Sequence, residues 1–132
     1  MAENSFLSDA IALLNLYQTQ YTQTDKLWGY FGTVTLAVLA FALGSEKATK
    51  TIKEAGLVIT GYLVFCIGNF MALFKAQEQL CEFAAHAKKA ADKAQIPFEH
   101  LAPLTLSNIT WFYWCVVVAV SIGIMAITWW RR

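Results

Sequence analysis

The sequence predicts an all-α integral membrane protein with three transmembrane helices. The first two are extended into a helical soluble region on one side of the bilayer, and copies of the chain gather into a homo-oligomeric bundle. Three observations lead there. Of 132 residues, 58% are hydrophobic and only 14% charged, and the mean hydropathy is +0.47, a balance outside the range of soluble globular domains. Three apolar runs each reach the ~20 residues that a ~30 Å hydrocarbon layer demands of a helix. Apolar seams at alternating steps of three and four leave two of those runs and continue into polar sequence without losing phase.

Residues 1–25 predict an N-terminal amphipathic helix. Leu7, Ala10, Leu14, Tyr17, Tyr21 and Thr24 recur at seam spacing and lead on to Trp28, Phe31, Thr35, Val38 and Ala42. The alternative for this segment is a helix lying flat in the interface, but its polar face is Gln and Thr rather than the Lys and Arg such helices favour. Glu3 and Asp9 replace the basic region of a cleaved signal peptide, so a retained N-terminus is expected.

Residues 26–44 predict the first span, free of charge between Lys26 and Glu46, with Gly44 as a C′ residue at which the helix can stop. Residues 45–54 form a short loop. In it Thr51 to Glu54, "TIKE", has the T-x-x-E pattern of a capping box, although the tract from Glu46 is also compatible with helix.

Residues 55–74 predict the second span and residues 75–95 its soluble extension. Neither Gly nor Pro separates "ALFK" from "AQEQLCEFAAHAKKAADKAQ", and the seam from Ile59 runs through Tyr62, Cys66, Asn69, Leu73, Ala76, Leu80, Phe83, Ala87, Ala90 and Ala94. One long helix explains that phase. Residues 96–108 read as a loop containing the helix breakers Pro97 and Pro103. Residues 109–130 predict the third span, with aromatic residues at both ends as headgroup anchors, followed by a basic C-terminus at 131–132. Antiparallel first and second spans place both extensions on the same side, where they can associate.

Charge restricts function more than it suggests one. The spans hold no Asp, Glu, Lys, Arg or His, which removes proton relays, voltage sensing and intramembrane haem ligation. Cys66, Cys81 and Cys115 lack C-x-x-C spacing and imply no disulfide framework. Glu78, Glu82 and His86 share a helix face but read as a solvated charge row rather than a metal site, and no cofactor or enzyme activity is expected. The net charge of +1 excludes a global basic field.

The remaining candidates are local. Thr60, Tyr62, Cys66, Asn69 and Leu73 are the candidate pore or inter-helix seam, Asn69 being the one strongly polar side chain deep in a span. Gly68 with Ala72 and Ala119 with Gly123 form small-x-x-x-small pairs. With Leu80, Phe83 and Ala87 they are the expected contacts between copies, because three helices offer few surfaces to cover so long a seam. Lys88, Lys89 and Lys93 crowd the last turns and suit an anionic ligand once symmetry repeats them.

A homo-oligomeric pore or ion channel gated at its soluble face is the function these features favour. The alternatives are a non-catalytic membrane-anchoring subunit of a larger complex and a small lipid-modifying membrane enzyme. The bacterial diacylglycerol kinases have similar size, but their acidic cluster at the membrane edge is missing here, where Glu54 stands almost alone.

In size, span count and helical soluble face, the chain resembles the small membrane effectors of bacterial anti-phage defence, of the Hailong type. That resemblance implies an oligomeric ion channel in the bacterial inner membrane. It also implies a nucleotidyltransferase partner whose product, a single-stranded DNA oligomer, would meet Lys88, Lys89 and Lys93. Basic residues are equal in number on the two sides of the spans, and the thiol of Cys81 tips the expectation towards a cytoplasmic soluble face.

Overall fold

The computed structural model describes residues 2–96 and 103–132, with side chains from residue 4 onward. Pro97 and His100 therefore lie outside the described residues. The described chain is three helices: α1 over Ala2–Gly44, α2 over Ile52–Lys93 and α3 over Leu106–Trp130. All three are long and apolar enough to span a membrane.

α1 and α2 form one antiparallel hairpin. Next to the turn, the buried Thr49 lies against Ala42. Further out Thr35 Oγ meets Tyr62 Oη at 2.7 Å, then Gln20 Nε2 donates to the Ala76 carbonyl at 3.1 Å, and Phe6 and Asp9 finally face Lys89 and Lys93. The pairing stays in register because both helices keep one buried ridge along their whole length. On α2 that ridge is Tyr62, Cys66, Asn69, Leu73, Ala76, Leu80, Ala87 and Ala90. α1 is thus a single rod, and its first half lies on α2 instead of turning to lie flat.

Helix lengths of 43 and 42 residues correspond to about 65 and 63 Å at 1.5 Å per residue, against a hydrocarbon layer of ~30 Å. Each of these two rods is about twice as long as such a layer is thick. α3, with 25 residues, is only long enough for the bilayer, and it packs mainly on α2 and secondarily on α1.

Local chemistry sets the ends. Thr51 caps α2 through a complete capping box, its Oγ accepting from the Glu54 amide while the Glu54 carboxylate accepts from the Thr51 amide. The tract from Glu46 to Lys50 is turn rather than helix. α1 ends at Gly44, where the sequence places a stop, although Gly44 itself does not take a left-handed φ. The left-handed stop lies at the far end of α2 instead. There Gln95 has φ 57°, its amide donates to Asp92, and the Ile96 amide reaches back to Ala91 at 2.9 Å, which together make a Schellman motif. Thr105 caps α3 by accepting from the Asn108 amide.

Candidate functional site

The membrane half of the seam is a polar and aromatic layer joining all three helices. Tyr113 of α3 is fully buried and stacks on Phe31 of α1, with ring centroids 4.1 Å apart and planes at 26°. Its hydroxyl donates to the Cys66 carbonyl of α2 at 2.7 Å and accepts from Asn69 Nδ2 at 3.3 Å. Trp28, Phe70 and Trp114 close around the same ring. One phenol thereby uses both its donor and its acceptor capacity where lipid would supply neither. Nearer the loop, Thr35 and Tyr62 share one hydrogen bond between their buried hydroxyls. Among the described residues, no buried side-chain nitrogen or oxygen is left without a partner.

This geometry decides what the candidate pore residues touch. Tyr62, Cys66, Asn69 and Leu73 are buried between helices of the same chain, and none of these four faces an open path within it. Thr60 is exposed and returns its hydroxyl to the Gly56 carbonyl at 2.7 Å, as a hydroxyl on an apolar face must. Of the candidate contacts between copies, Gly68, Ala72 and Ala119 are exposed and Gly123 half-buried. Leu80 and Ala87 are covered by α1 of the same chain, and Phe83 partly so. Because α1 continues outward as far as α2 does, one chain already covers the water-side seam, and the shortage of surface expected from the sequence does not arise there.

Lys88, Lys89 and Lys93 are all exposed at the far tip. Lys89 and Lys93 line a cavity of about 240 Å³ with His86, Phe6 and Asp9, while Lys88 points elsewhere on the helix. The tip therefore brings two lysines, a histidine, a phenylalanine and one carboxylate to the same cavity. Between tip and membrane, Tyr17 is half-buried against α2. Its burial, with Tyr21 and Cys81 nearby, pushes its phenol above the usual 10 and keeps it neutral.

Sequence reasoning missed the contact at the opposite end. The Arg131 guanidinium donates to the carbonyls of Ala42, Leu43 and Ser45 at 3.2, 2.6 and 3.2 Å and to Thr49 Oγ at 2.6 Å. Ala42 and Leu43 belong to the last turn of α1, whose carbonyls have no intrahelical partner, and a cation there also complements the helix dipole. The basic C-terminus reads in sequence only as a headgroup anchor, because nothing in it indicates that α3 ends beside α1. Comparison of the chain with protein-family models, with curated proteins and with solved structures finds no match in any of the three.

Proposed function

We propose that the chain is the protomer of a homo-oligomeric membrane pore or ion channel, gated by a ligand or partner at the tip of its water-side hairpin. The observation that carries this reading is the continuity of α1 and α2, each an unbroken helix through the membrane half and out to the tip. Two rods in register along their full length move as one body, so a force at Lys89 and Lys93 reaches the spans without a joint to absorb it. Uncharged spans suit a gate that opens and closes by wetting.

Since α2's seam is occupied within the chain, contacts between copies fall to the exposed small residues Gly68 and Ala72 of α2 and to the apolar side chains left open on the water-side half of α1, among them Ile11 and Leu16 at 50% exposure each. An anionic ligand at the tip, a cytoplasmic tip, the bacterial inner membrane and a role in anti-phage defence with a nucleotidyltransferase partner belong to the same proposal.

Flux of small ions from proteoliposomes tests it. The expected result is conductance that rises when a polyanion is supplied on the hairpin side and falls in K89E/K93E. Failure to conduct in every ligand condition, with partner proteins included, rejects the pore. A stoichiometric partner in the native complex together with absent flux favours the membrane-anchoring subunit.

A further inference from the structure

A groove of about 860 Å³ runs along the outer side of α3, away from the hairpin seam. Ser107 and Asn108, with Phe74 of α2, lie at its mouth, Trp114 lines its middle, and Ala119 and Ile122 continue it along α3 as the floor. We propose that it binds one phospholipid of the leaflet on the hairpin side, with an acyl chain along the floor and the glycerol and phosphate oxygens at the first turn of α3.

Length argues for this occupant. The run from Ser107 to Ile122 is about 22 Å at the helical rise, and one leaflet with its headgroups is about 20–22 Å, half of a ~40–45 Å bilayer. The groove stops at Ile122 while α3 continues to Trp130. A spanning helix from a second copy needs a groove that crosses both leaflets, whereas a lipid needs one that ends at the midplane.

Polarity agrees with length. Hydroxyl and amide side chains occur at the mouth, where the positive end of the helix dipole favours a phosphate although Thr105 already holds the Asn108 amide. Beyond Trp114 the groove presents Val118, Ala119 and Ile122. No Lys, Arg, His, Asp or Glu lines it, so what is recognised is the phosphate common to phospholipids rather than the net charge of the headgroup.

Native mass spectrometry of the full chain, released from vesicles of synthetic phosphatidylethanolamine or phosphatidylglycerol, tests the proposal. The expected result is one phospholipid per chain surviving activation that strips all others, to the same extent for both headgroups. Ala119→Trp and Ile122→Trp each fill the floor from exposed positions of α3, and each should weaken retention at least about tenfold with helix content unchanged. Retention undiminished in both variants, no retained lipid at all, or retention of the anionic lipid alone overturns it. Cross-linking of copies through Cys115, a residue of the groove wall, in vesicles with excess lipid also overturns it by placing a second chain there.

Discussion

Arg131 does the work of a C-cap from a different helix. A guanidinium forks in one plane and meets four acceptors at once, whereas an ammonium at the same place is a single point of charge. Arg131→Lys should therefore destabilise the chain by about 1–2 kcal/mol, the range for hydrogen bonds from a charged donor lost at a partly wet site, and Arg131→Ala by no less. Chemical unfolding in detergent measures the sum, and faster amide exchange over residues 41–50 should locate it at the end of α1. Gln95 carries the opposite sign. Its φ of 57° holds a side chain in the left-handed region that glycine enters without strain. Gln95→Gly should stabilise the folded chain by about 0.5–1 kcal/mol, less than the full left-handed penalty because glycine also gains freedom when unfolded. A rise in the unfolding midpoint checks it, and a fall would mean that the Gln95 side chain makes a contact worth more than the strain.

At the scale of the helix, phase decides whether α2 stays on α1. An alanine inserted between Lys75 and Ala76 turns everything beyond it by about 100° and takes Leu80, Ala84 and Ala87 off the buried ridge. Full burial of one Leu is worth about 1.5–3 kcal/mol, so the water-side hairpin should lose at least that much while the membrane half keeps its packing. Proteolysis and amide exchange should rise together over residues 5–20 and 80–93 and stay unchanged around Tyr113. Seven inserted residues, which restore the phase to within about 20°, should leave protection intact.

The same phase is what made this part of the fold legible. Apolar spacing named Tyr62, Cys66, Asn69, Leu73, Leu80 and Ala87 on one ridge because a straight helix repeats its faces whatever its partner. At Phe83 and Ala84 the two readings part, since the smaller residue is the one buried and the ring is pushed to the flank. Gln20 and Gln77 were not legible. Glutamine reads as surface, and their burial depends on backbone carbonyls of Ala76 and Leu104 that only the folded chain brings within reach. Arg131 was hidden for the same reason, because the acceptors it meets lie more than eighty residues away in sequence.

At the scale of the whole molecule, one chain satisfies its own membrane interior. Asn69, Tyr113 and the Cys66 carbonyl complete one another, Thr35 completes Tyr62, and the hairpin seam is closed along its length. Assembly into a pore would thus add surfaces to a finished three-helix unit rather than supply missing parts of it. Folding and conduction should accordingly separate on dilution. As protein is diluted into lipid, flux should fall more steeply than in proportion to protein, while the unfolding midpoint moves little, because no seam opens when copies part. Tyr113→Phe should do the reverse. It removes one hydroxyl from inside each chain, leaving the Asn69 amide without that acceptor and the Cys66 carbonyl with only its intrahelical bond, at a cost of about 1–2 kcal/mol for membrane hydrogen bonds. The midpoint should drop at every dilution, and the dependence of flux on protein amount should keep its slope. A slope that changed with Tyr113→Phe would show this layer to lie between copies after all.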